Sequence, residues 1–153
     1  MKTTRLLSIL LFLAAMPPAD TVAAAGRSDD RASFRAIMIV ASKQKGESDR
    51  RLAPYEPTLR RILRFESYRF LSEDTGAIAI PGKGVLSLGH GHRLELETEP
   101  AGAETRRVRV RWTAGDRVLM NTGLSLRSGV PAVLGGPPWG DKGDVCAMIV
   151  IAR

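Results

Sequence analysis

The feature that most constrains this chain is a pair of strictly alternating segments joined by a short turn. Residues 92–99 set Leu94, Leu96 and Thr98 on one face and Arg93, Glu95, Glu97 and Glu99 on the other. Residues 105–113 set Val108, Val110 and Trp112 on one face and Arg107, Arg109 and Arg111 on the other. A period of two is the signature of a half-buried strand. Pro100-Ala101-Gly102-Ala103 supplies the turn, so the two segments read as a β-hairpin with a glutamate column facing an arginine column. Cross-strand charge pairs of this kind contribute about 0.2–1 kcal/mol each. Their larger effect is on register, because a slip of one residue would turn every charge into the core.

The remaining segments extend this β pattern. Residues 34–42 and 145–151 are apolar on both faces and read as well-buried strands, the second central in a sheet. A polar loop at 43–51, with Gly46, is the expected flexible segment near the start. A short helix follows. Tyr55, Leu59, Ile62 and Leu63 share one helical face, Pro57 suits the first turn, and Arg60, Arg61 and Arg64 lie on or beside the solvated side. Further short strands are expected over 67–73, 77–80, 85–88, 117–126 and 130–134. Asp74-Thr75-Gly76, Gly82-Lys83-Gly84 and Ser128-Gly129 read as turns, and residues 135–143 as a long loop. The fold class is therefore α+β and mainly β: an antiparallel curved sheet or β-sandwich with one short helix after the first strand.

Lys2 and Arg5, the apolar run 6–16, Pro17-Pro18 and the small residues Val22-Ala23-Ala24-Ala25 occur in the order of a secretory signal peptide. The run is shorter than the roughly 20 residues that span a bilayer. The expected organisation is a signal peptide over 1–25, removed on export, a loose leader over 26–33 and a single domain over 34–153. The mature chain then carries no transmembrane segment. The formal net charge of the whole chain is +7, and cleavage would lower it by only one. The single cysteine, Cys146, excludes an intrachain disulfide. A small exported domain without disulfides suits a bacterial periplasm, or secretion from a bacterium. The apolar surroundings of Cys146 fit a packing role better than a nucleophile.

Two places could carry chemistry. His90 and His92 are the only histidines, and two imidazoles two residues apart on a strand could contribute to a metal site. A closed site needs further ligands, and none stands at a diagnostic spacing. The segment 135–144 combines Gly135-Gly136, Pro137-Pro138, Trp139, Asp141, Lys142 and Asp144. An exposed Trp139 beside Asp141 and Lys142 would make a binding platform. Asp141 and Asp144 lack the spacing of a calcium loop, and Gly82-Lys83-Gly84 lacks that of a phosphate loop. The sequence implies no cofactor. The basic balance without a matching motif or interleaved aromatics argues against nucleic acid as the partner.

From Ile37 to Ile151 the chain resembles a group of small exported bacterial proteins of unassigned activity. Arg51-Leu52-Ala53-Pro54 before a helix with Leu59 and Leu63, Ser67-Tyr68-Arg69-Phe70 after it, and Gly135-Gly136-Pro137 before the last strand carry the likeness. It implies a periplasmic or envelope location and supplies no active-site residue.

These readings favour a non-enzymatic periplasmic or envelope module that binds a partner protein or an anionic polymer. One alternative is a metal-dependent hydrolase built from His90, His92 and the Asp141–Asp144 loop. Another is an accessory subunit of an export or pilus apparatus that pairs through its edge strands.

Overall fold

A computed structural model describes residues 30–100, 102 and 104–153. The signal-peptide segment 1–25 and the first four leader residues lie outside the described residues. The elements run β1 (Arg31–Ser42), a 3-10 turn (Arg50–Leu52), α1 (Glu56–Leu63), β2 (Ser67–Ala79), β3 (Gly82–Gly89), β4 (His92–Glu99), β5 (Thr105–Ala114), β6 (Arg117–Arg127), β7 (Ala132–Trp139) and β8 (Asp144–Ala152). They form two antiparallel four-stranded sheets, β2-β1-β8-β7 and β3-β4-β5-β6. Of the two architectures open to the sequence, the chain takes the sandwich.

Two apolar clusters explain the layering. Between the sheets lie Phe34, Met38, Leu86, Leu88, Leu94, Leu96, Val108, Val110, Trp112, Met148 and Val150. On the outer face of the first sheet, Ile37, Ile39, Tyr68, Ala147, Ile149 and Ile151 pack with Leu52 and Leu59. That is why β1 and β8 are apolar on both faces: they are the central pair of a sheet with the second sheet below and the helical segment above. Leu59 is fully buried under α1, and Tyr55 and Leu63 join it as partly buried residues. Ile62, expected on the same helical face, is instead 49% exposed, because α1 has only eight residues and its contact stripe is narrow.

The hairpin forms in the expected register: Glu95 faces Arg111, Glu97 faces Arg109 and Glu99 faces Arg107. Other boundaries differ from the sequence reading. Arg31, Ala32 and Ser33, expected in the leader, begin β1 and pair with Ala79, Ile78 and Ala77. That pairing carries β2 straight through Asp74-Thr75-Gly76, where a turn was expected. Asp74 spends its carboxylate on the backbone N–H groups of Thr75 and Ser87, both at 2.8 Å. Gly82 and Gly84 are not turn residues but the start of β3, and a Cβ on Gly84 would fall 2.7 Å from Ile78 Cγ1.

The largest correction concerns residues 135–143. They are not a long loop: β7 runs on to Trp139, and only Gly140 to Gly143 connect it to β8. Register shifts between Gly135 and Pro138, a bulge that accommodates the two prolines. Proline cannot donate to a ladder, and β7 is an edge strand, where a missing donor costs least. Gly136 is required by packing. A Cβ there would lie 2.6 Å from Trp112 Cζ3 and 2.7 Å from the Cys146 carbonyl oxygen.

Candidate functional site

The β3–β4 connection is a two-residue turn in which His90 and Gly91 have φ of 51° and 75°. Positive φ at both positions is what a primed hairpin turn demands, and histidine is among the residues that tolerate it. The turn leaves His90 exposed at the tip and starts β4 with His92, which is 7% exposed. The shared-face rule for neighbours in a strand therefore does not apply to this pair. Both rings nevertheless reach one partner. His90 meets Trp139 edge-on at 5.8 Å between centroids, and His92 meets it tilted at 6.2 Å. The structure thus joins the two segments that the sequence offered as separate candidates.

His92 is also held from the core side. Trp112 Nε1 donates to His92 Nδ1 at 3.0 Å. An indole nitrogen can only donate, so Nδ1 is unprotonated and the neutral ring carries its proton on Nε2. Burial lowers the His92 pKa below its ordinary value, and the charge of His90 adds to the lowering. Among the described residues no three His, Cys, Asp or Glu side chains gather as a metal would require. The histidines adjoin an aromatic wall, not a third ligand.

Trp139 is partly buried, with one part packed against the inter-sheet core. It also lines a cleft of about 680 Å3 at the end of the first sheet. Val40 and Ser42 of β1 contribute to its lining. Segments 44–47 and 67–69 with Asp49 line it from one part of the chain, and residues 139–142 with Asp144 from another. The binding candidates Trp139, Asp141 and Lys142 all line this cleft. Residues 44–49, read as a flexible loop, and 67–69, read as a strand, were not among the site candidates that the sequence offered. Their Ser and Asp content signals local capping, and nothing in their order says that they would meet the β7–β8 turn.

The loop expected to be flexible is fastened. Ser67 Oγ donates to the Gln44 carbonyl at 2.9 Å, and the Tyr68 N–H donates to Ser48 Oγ at 3.1 Å. The Asp49 N–H donates to the Tyr68 carbonyl at 2.9 Å. Asp49 in turn accepts from the Arg51 backbone at 3.0 Å, and the Arg51 guanidinium holds its carboxyl down at about 2. Lys45, Arg69 and Lys142 bring positive charge to the cleft, and Glu47, Asp49, Asp141 and Asp144 negative. Asp144 Oδ1 is buried without a hydrogen-bond donor among the described residues.

Fold and cleft together define a mainly-β sandwich, capped by a helix on one face, with a stiff-walled cleft at one end. The chain matches no protein-family model, no curated protein and no solved structure.

Proposed function

We propose that the protein is a non-enzymatic binding module of the bacterial envelope, exported to the periplasm, which seats a segment of a partner protein in the cleft against Trp139. The observation that carries this reading is the cleft's construction. Trp139 lines it together with a segment pinned by side-chain and backbone hydrogen bonds. A site that is already formed loses little conformational entropy when it is filled. Mixed charge suits an extended polypeptide, which offers N–H donors, carbonyl acceptors and side chains of either sign.

Selection from a displayed random-peptide library on the folded protein tests the reading. Selected peptides should perturb NMR signals of Trp139 and of residues 44–49, and should bind Trp139→Ala at least about tenfold more weakly. Peptides that bind both proteins alike, or that perturb another surface, would sink it. Export is part of the same proposal. Intact mass of protein recovered from the periplasm should place the N-terminus at Ala25 or Gly26.

A further inference from the structure

The outer face of the β3-β4-β5-β6 sheet carries a second pattern. Paired residues form rows across it: Lys83, Glu97, Arg109 and Gly123 in one, Val85, Glu95, Arg111 and Asn121 in the next, and Glu99, Arg107 and Ser125 beyond. Read down the strands, the face shows an arginine column on β5, a glutamate column on β4, and a column of small neutral residues on β6. The helix covers the other sheet. This face is bare.

The arginine column of β5 and the glutamate column of β4 balance, three against three, but the face as a whole carries a positive excess. Lys83, Arg93, Arg107, Arg109, Arg111 and Arg127 stand on this face against Glu95, Glu97 and Glu99. The ion pairs that form are long single contacts: Arg111 to Glu95 at 3.5 Å, Lys83 to Glu97 at 3.6 Å, and Arg109 to Glu97 and Glu99 at 3.8 and 4.0 Å. Arg109 and Arg111 remain 60% and 49% exposed. A guanidinium has five N–H donors, so most of theirs face solvent. Among the described residues Arg107 has no side-chain hydrogen bond or ion pair. On the β6 side no carboxylate faces the arginines, and the space beside Gly123 is open.

We propose that this face docks a linear polysaccharide bearing carboxylates, a polyuronate, laid along β5. Arg107, Arg109 and Arg111 recur every second residue, about 6.8 Å apart along the strand. They would take carboxylates along the polymer, which guanidinium forks match in shape. The flanking columns select among polyanions. Asn121 and Ser125 offer partners to sugar hydroxyls, and Glu95, Glu97 and Glu99 accept from them. A polyphosphate, with no hydroxyl to donate, would meet only repulsion from the glutamates. No aromatic ring stands in these rows to stack a nucleobase. The site shares no residue with the cleft, so either proposal can fail alone.

The test is titration calorimetry of the folded chain with polygalacturonate, with neutral dextran, inorganic polyphosphate, a single-stranded DNA oligomer and anionic phospholipid vesicles as separate arms. Polygalacturonate should bind, weakening as salt rises, and dextran should not. Arg107→Gln/Arg109→Gln/Arg111→Gln should weaken binding at least about tenfold. Arg50→Gln/Arg61→Gln/Arg153→Gln, which removes equal charge elsewhere, should weaken it much less. Asn121→Asp/Ser125→Asp leaves the arginines in place and should weaken binding as well. No binding to polygalacturonate would overturn the proposal. So would equal losses in the two arginine triples, or equal or tighter binding of polyphosphate, DNA or vesicles.

Discussion

The indole Nε1 of Trp112 donates to Nδ1 of His92 at 3.0 Å, and both side chains are buried. The bond links the inter-sheet core to the aromatic group of which Trp139 is the outermost indole, since Trp139 lies against the same imidazole. Protonating His92 on Nδ1 would remove the acceptor and place a charge in an apolar setting.

Stability should therefore respond to pH through His92. Its folded pKa lies below the ordinary 6.5, chiefly through burial. The unfolded chain takes up the proton first as pH falls. The contribution is fully present above about 6.5, declines as pH drops from there toward the folded value, and then levels off. Urea titrations near pH 7.5 and near pH 5.5 should show wild type losing stability on acidification. His92→Gln, which keeps an acceptor without titrating, should lose less. Equal losses in the two proteins would show that His92 does not titrate as the structure implies.

Gly136→Ala should destabilise by about 1–3 kcal/mol, the range for forcing extra volume into a packed core. The new methyl would collide with the ring of fully buried Trp112 and with the Cys146 carbonyl. Gly135→Ala is the control, because its Cβ would only touch Leu63 at 4.0 Å. Similar urea midpoints for the two variants would contradict the packing described.

Arg109→Glu should cost about 1 kcal/mol or less at low salt, since it sets like charges across exposed strands. It would face Glu97 directly and lie within reach of Glu99. The cost should shrink as salt screens the repulsion. A penalty that stays constant from low to high salt would point to lost packing of the arginine stem.

Cys146 should be inert while the domain is folded. It is fully buried, and burial pushes its thiol up to about 11. Alkylation by iodoacetamide should be negligible in buffer and should rise with urea in step with the loss of tryptophan signal. Labelling that runs ahead of that loss would reveal local opening of β8.

Much of this fold was written in local pattern. The hairpin register, the inward face of Val108, Val110 and Trp112, and the buried central strands β1 and β8 follow from period-two alternation and doubly apolar runs. Such signals are local, because a strand shows its two faces in its own sequence. Turn signals misled where a long-range pairing overrode them. Asp74-Thr75-Gly76 reads as a turn until Arg35 and Phe34 pair with Thr75 and Gly76. Gly135-Gly136-Pro137-Pro138 reads as a loop until an edge position relieves the prolines of donating and the Trp112 ring fills the space above Gly136.

The candidate site was legible as residues and not as an arrangement. Trp139, Asp141 and Lys142 could be picked out by type, and His90 with His92 by rarity. That the two groups meet at the Trp139 ring depends on the β3–β4 turn of one sheet reaching the β7–β8 end of the other, across about 50 residues of chain. Residues 44–49 carry no sign of their role as a cleft wall, because hydrogen bonds to Ser67 and Tyr68 hold them there. The sequence alone determined which residues of the β4–β5 hairpin would face inward and that these two strands would pair. Only the tertiary structure decided which loops meet, because that depends on how two sheets and a helix stack, and stacking leaves no period in the chain.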